Sequence, residues 1–100
     1  MSQTIQLRRY SIAEGKEDAF LASWSSQIPQ LRRKYGFEIK FAYLDRGNGL
    51  FVWAVAVEGD EEAFLAAERS YYGSPEKAGL GNGDPSILRD ISVGFVQPVH

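Results

Sequence analysis

Arg8 and Tyr10 stand two residues apart in a segment whose apolar and polar positions alternate, and Gln6 precedes them at the same spacing. In an extended strand such positions share a face, so an amide, a guanidinium and a phenol are presented together. Set among apolar walls, they suit a ligand with an anionic or carbonyl end, because arginine offers a charged fork and tyrosine a directional hydroxyl. The same residues also have an architectural use, in which Arg8 pairs with a carboxylate such as Glu38 or Glu68 and Tyr10 packs. Tyr43, Trp53 and Tyr72 are further aromatics suited to the wall of a pocket, and Tyr71 with Tyr72, near a helix end, suits its entrance.

Other chemistries find little support. The single histidine is His100 at the chain end, and the absence of cysteine removes thiol nucleophiles, disulfides and thiolate metal sites together. No metal and no cofactor is expected. Asp45 and the run Asp60-Glu61-Glu62 offer oxygen ligands, but acidic residues at a helix start are explained by capping and the helix dipole. Gly79-Leu80-Gly81-Asn82-Gly83 lacks the preceding strand and following helix of a phosphate loop, and Pro85 interrupts it, so it reads as a connector. Ser25 and Ser26 have no neighbouring general base and fall on a helix surface. Lysine plus arginine number 11 against 13 acidic residues, a formal charge of -2 without any basic stripe, which argues against a nucleic-acid partner. No apolar stretch approaches the roughly 20 residues of a membrane span, nor does the start resemble a signal peptide. The expectation is a soluble, cytoplasmic protein of one domain, residues 1–100.

The elements that must position these residues follow from periodicity. Thr4 to Ile12 reads as a strand with Ile5 and Leu7 on one face and Gln6, Arg8 and Tyr10 on the other. After the turn at Ala13-Glu14-Gly15, the residues Phe20, Leu21, Trp24, Ile28 and Leu31 recur at helical spacing from Lys16 onward. Pro29 predicts a kink or restart, and Tyr35-Gly36 the end, with Arg32 and Arg33 decorating the last turn. Phe37 to Asp45 is predicted as a strand carrying Phe37, Ile39, Phe41 and Tyr43 on one face. Asn48-Gly49 predicts a tight primed turn into Leu50 to Val57, which is apolar at every position and so buried on both faces. Asp60 caps a second helix through Phe64, Leu65, Glu68 and Tyr71 or Tyr72, ended by Gly73. Ser74-Pro75-Glu76 opens a short third helix. Gly79 to Ser86 is expected to be the most flexible stretch, and Ile87 to Val96 supplies the last strand, with Ile91, Val93 and Phe95 on one face.

The order βαββαβ is the ferredoxin-like α+β arrangement, a four-stranded antiparallel sheet with two helices on one side. Its other face is left bare. If three of Tyr10, Phe41, Tyr43, Phe51 and Trp53 lay there, at about 150 to 250 Å² each, the patch would match or exceed the roughly 300 to 600 Å² found on monomers. At about 25 cal/mol per Å² that is on the order of 10 kcal/mol of gross driving force. A second copy of the chain is the simplest cover, and the cavity between the two sheets the natural place for a ligand.

Several segments together resemble NIPSNAP-type proteins of the dimeric α+β barrel group: LRRYSI at Leu7 to Ile12 with Gly15-Lys16, then Trp24, LRRKYGF at Leu31 to Phe37, FVW at Phe51 to Trp53, and YYGSPE at Tyr71 to Glu76. The resemblance spans nearly the whole chain and is more specific for fold than for activity. It implies a homodimer and an inter-sheet cavity, with no catalytic signature; Tyr35 stands where many such proteins carry histidine. Two readings follow. One is a homodimer binding a small apolar or aromatic molecule with one polar or anionic end through Arg8, Tyr10, Tyr43, Trp53 and Tyr72. The alternative is a cofactor-independent monooxygenase or polyketide-processing enzyme of that barrel group, with Tyr10 as donor or proton shuttle, Arg8 stabilising an enolate or phenolate, and Trp53 as a wall. Haem breakdown fits poorly without an interior histidine. A purely structural dimer is the third possibility.

Overall fold

The alternation in the first segment produces β1 (Gln3–Ile12), and the chain continues through α1 (Glu17–Lys34), β2 (Glu38–Asp45), β3 (Leu50–Glu58), α2 (Glu61–Tyr72), α3 (Pro75–Leu80) and β4 (Leu88–Val96). The structure, a computed structural model, describes residues 2–80 and 86–99. The strands form one antiparallel sheet in the order β2-β3-β1-β4, the ferredoxin-like arrangement, with the expected short α3 between α2 and β4. The fold is two layers deep, 19 Å through its thinnest axis.

Local chemistry explains the boundaries. The Asp60 carboxylate accepts from the Ala63 amide at 3.0 Å, capping α2, and Ser74 Oγ accepts from the Lys77 amide at 3.1 Å to open α3. Gly36 ends α1 with φ +92°. Two expectations are corrected. First, α1 does not restart at Pro29 but continues through it as one helix. Proline there leaves the Ser25 carbonyl without its amide donor, and Gln30 Nε2 lies 3.5 Å from that oxygen. Second, the β2–β3 connection is the four-residue loop Arg46 to Gly49 rather than a two-residue primed turn. Only Gly49, at φ +63°, takes a left-handed conformation in it. Asn48 is held instead by the Asp45 carboxylate, which accepts from its amide at 3.3 Å and its side chain at 2.8 Å.

Register decides which face each residue occupies. Arg8 pairs with Trp53, Tyr10 with Phe51 and Gln6 with Val55, so all six point the same way, beneath the helices. The core lies there, built from Tyr10, Ile12, Phe20, Phe37, Phe51, Trp53, Val55, Phe64 and Tyr71. Along β2 a bulge at Lys40 shifts the register between Ile39 and Phe41. An extra residue reverses the side-chain alternation. Phe37 and Ile39 therefore face the helices, while Phe41 and Tyr43 turn to the outer face, their rings stacked at 5.3 Å. The expected four-residue face of β2 is split in two.

The outer face carries Ile5, Leu7, Leu50, Val52, Phe41 and Tyr43, with Ala54 set between Leu7 and Phe41 across the three strands. Of the five aromatics considered for it, two lie there; Tyr10, Phe51 and Trp53 belong to the helix side. The face is apolar chiefly through aliphatic side chains. No helix among the described residues is long and apolar enough to cross a membrane.

Candidate functional site

Between the helices and the sheet lies a cavity of about 310 Å³. Its floor is Arg8 and Tyr10 from β1, Trp53 from β3 and Ile91 from β4. Phe20, Trp24, Ile28 and Arg32 of α1 form one wall, and Tyr71, Tyr72 and Lys77 of α2 and α3 another. Four of the five expected ligand contacts, Arg8, Tyr10, Trp53 and Tyr72, therefore converge. Tyr43 does not join them, being 68% exposed on the opposite side of the sheet. The expected location is also corrected: these residues line a pocket inside one chain, not a space between two sheets. The reason is that Gln6, Arg8 and Tyr10, although polar, occupy the helix-covered side of β1.

Arg8 is 9% exposed and held at three points. Its Nε donates to the Tyr10 hydroxyl at 2.9 Å, Nη1 to Gln6 Oε1 at 2.8 Å and Nη2 to the Tyr72 hydroxyl at 3.3 Å. Burial works against its charge, but the oxygens of Tyr10 and Tyr72, the Tyr10 hydrogen bond and Glu68 outweigh it and hold the pKa above the ordinary arginine value. The three side chains set at alternating positions in β1 are thus a connected unit. Of the two carboxylates considered for Arg8, Glu68 is the partner, at 3.7 Å; Glu38 instead bonds Gln3 and Lys40 at the sheet edge.

The second guanidinium is the residue that sequence reasoning missed. Arg32, expected to decorate the end of α1, is 2% exposed. Its guanidinium carbon lies 4.1 Å from the Tyr71 ring centre and 4.6 Å from that of Phe37, with Trp53 and Tyr72 each at 5.5 Å. Such stacking compensates a buried cation for lost water. Its edge donates to Glu68 at 3.4 Å and to the Tyr72 hydroxyl at 3.2 Å. A signal for it exists: Phe20, Trp24, Ile28 and Arg32 recur every four residues, so Arg32 continues the buried row of α1.

Glu68 and the Tyr72 oxygen are each shared by both arginines. Lys77 adds a third cation, its pKa lowered by burial and by repulsion from Arg32 and Arg8. Burial raises the Tyr71 pKa, so this phenol stays protonated at neutral pH. Three buried donors, Trp24 Nε1, Trp53 Nε1 and Arg32 Nε, have no hydrogen-bond acceptor among the described residues. The residues that carry them line the cavity, but the three donor atoms themselves are closed off from solvent. The lining brings together three cationic side chains with Ser23, Gln27 and three tyrosine hydroxyls, which accept as well as donate. Among the described residues, no three histidine, cysteine, aspartate or glutamate side chains cluster as metal ligands. Gly81, Asn82, Gly83 and His100 lie outside the described residues.

No family model matches the chain, and no curated protein is similar to it in sequence. Solved structures are similar in shape. An uncharacterized NIPSNAP domain protein from Burkholderia xenovorans superposes with a TM-score of 0.83 at 17% identity, over 96% of this chain and 94% of that one. The chain is NIPSNAP-like in fold. A NIPSNAP-like domain protein from the same organism gives 0.82 at 14% identity, over 97% of this chain and 85% of the other. A NIPSNAP family protein with unknown function from Agrobacterium tumefaciens gives 0.81 at 11%, over 96% and 87%. The segments through which the sequence resembles NIPSNAP proteins surround the cavity. Arg8 and Tyr10 come from LRRYSI, Arg32 and Phe37 from LRRKYGF, Trp53 from FVW, and Tyr71 and Tyr72 from YYGSPE.

Proposed function

We propose that the protein binds a small aromatic or apolar molecule with one anionic end in the pocket beneath its helices. The observation that carries this reading is the convergence of two buried guanidiniums on a cavity walled by aromatic side chains. Burying two arginines is costly unless they are paired, and among the described residues Glu68 is the one carboxylate they share. An incoming anion adds a charged acceptor for the guanidinium edges. The volume, about 310 Å³, lies at the small end of the roughly 300 to 1,000 Å³ typical of ligand pockets.

Both tryptophans of the chain line the cavity, so intrinsic fluorescence reports on this site alone. The test is saturable quenching by 4-nitrobenzoate compared with the neutral 4-nitrobenzamide. The expected result is binding of the acid about tenfold or more tighter than the amide, a difference of about 1.4 kcal/mol. Equal affinity would make the pocket merely apolar, and purely collisional quenching by both would remove the reading.

The proposal includes a homodimer, with the aliphatic outer face of the sheet covered by a second copy. A row of exposed or half-buried apolar side chains including Leu7, Val52, Phe41 and Tyr43 supports it. Native mass spectrometry decides the point: a dimer is expected, and a monomer at micromolar concentration would contradict it.

The second reading, a cofactor-independent enzyme, draws on one detail. The Tyr10 hydroxyl accepts from Arg8 and keeps its own proton for a partner, so a donor stands beside a fixed cation. Oxygen uptake with an electron-rich phenolic substrate, lost in Tyr10→Phe with binding retained, would favour it.

A further inference from the structure

Glu68 sits in the C-terminal half of α2, where the helix dipole disfavours negative charge, and it caps nothing. Its side chain is 18% exposed and one oxygen, Oε1, faces both guanidiniums, Arg32 at 3.4 Å and Arg8 at 3.7 Å. These contacts are longer than the roughly 2.7 to 2.9 Å of a strong charge-assisted bond. The carboxylate is therefore shared loosely, and a ligand anion can compete for the same N–H groups. The two guanidiniums still outweigh the one carboxylate they share.

Resting on the binding reading above, we infer that Glu68 is a built-in counter-ion that restricts the pocket to ligands with a single negative charge, carboxylates rather than phosphate monoesters. It neutralises part of the field that two stacked arginines would otherwise offer. It also opposes any second charge brought close to them, in surroundings where a like charge is poorly screened. The two guanidiniums and Glu68 together carry one net positive charge, which a monoanion neutralises; the second charge of a dianion loses its hydration with nothing in this triad to repay it.

The experiment compares 4-nitrobenzoate, a monoanion, with 4-nitrophenyl phosphate, a dianion at pH 8, by quenching of Trp24 and Trp53 in the wild type and in Glu68→Gln. The wild type is expected to bind the benzoate at least as tightly as the phosphate. In Glu68→Gln the benzoate gains about tenfold and the phosphate about a hundredfold, because a doubled charge is relieved of doubled repulsion. Equal gains, or weaker binding of both, would make Glu68 a scaffold for the arginines and overturn the inference. Should Glu68→Gln fail to fold, competition in the wild type decides alone: a preference for the phosphate of more than about tenfold overturns it. Failure of the wild type to bind benzoate, with phosphate binding acquired in Glu68→Gln, removes the proposed ligand but keeps the role of Glu68. Binding of neither ligand by either protein removes both.

Discussion

The two faces of the sheet differ in a way that reverses the usual expectation. The side under the helices, which ought to be oily, buries two arginines, a glutamine and Tyr10, with the exposed Tyr72 lending its hydroxyl to both arginines. The outer face carries mainly aliphatic residues with a stacked Phe41–Tyr43 pair at one edge. Apolar residues cover a surface cheaply and without direction, which is what contact with another apolar surface needs. Buried charge is expensive and directional, and it persists where each group is fitted to a partner. The proposed functions follow this difference, with a small molecule at the inner face and a second copy at the outer one.

The sharpest break in this contrast is Arg32→Ala. It leaves a hole among Phe37, Tyr71 and Trp53 and takes from Glu68 its closer cation, so a loss of about 3 to 5 kcal/mol is expected in urea unfolding. Pairing Arg32→Met with Glu68→Leu should recover most of that stability while abolishing 4-nitrobenzoate binding. Recovery of both would show the charges to be dispensable.

On the outer face, Leu7→Asp places a charge in the middle of the apolar row, and light scattering should report a monomer for the variant against the dimer proposed for the wild type. Quenching by 4-nitrobenzoate should be unchanged, since the pocket belongs to one chain. A joint loss of dimer and binding would merge the two faces into one site.

Smaller in effect, Tyr72→Phe removes the oxygen that accepts from both arginines, at 3.3 and 3.2 Å, for about 1 to 2 kcal/mol of stability. Tyr43→Phe, the matching change outside, should lie within about 0.5 kcal/mol.

The smallest effect belongs to the rim. Glu76 is held at about 2, below its ordinary 4.5, by hydrogen bonds from Lys34 and Tyr35. A carboxyl whose pKa is lower folded than unfolded contributes stability above 4.5 that disappears as the pH falls toward 2. The wild type should therefore melt slightly above Glu76→Gln at neutral pH, and thermal melts should show the gap closing across that range. A gap independent of pH would mean that the hydrogen bond from Tyr35, at 2.8 Å, matters and the charge does not.

Much of the site was legible before any coordinates. The two-residue spacing of Gln6, Arg8 and Tyr10 puts them on one face of a strand, and the structure joins them by hydrogen bonds. Arg32 was misread because a basic residue in a last helical turn has an ordinary explanation in the dipole, while the four-residue row from Phe20 pointed inward. Tyr43 lies on the open face, but apart from Phe37 and Ile39, because a single extra residue at Lys40 reverses the alternation; periodicity along one strand cannot reveal this, since bulging depends on the neighbouring strand.

The sequence by itself determined the element order, the caps at Asp60 and Ser74, the hairpin between β2 and β3 and the grouping on β1, because these depend on residues close along the chain. Only the tertiary structure decided that this group lies beneath the helices rather than on the open face. β3 is apolar on both sides and accepts either orientation, so the choice falls to packing of α1 and α2 against it. That packing brings Arg32 and Glu68, distant in sequence, against Arg8 and turns a polar stripe on one strand into a charged pocket.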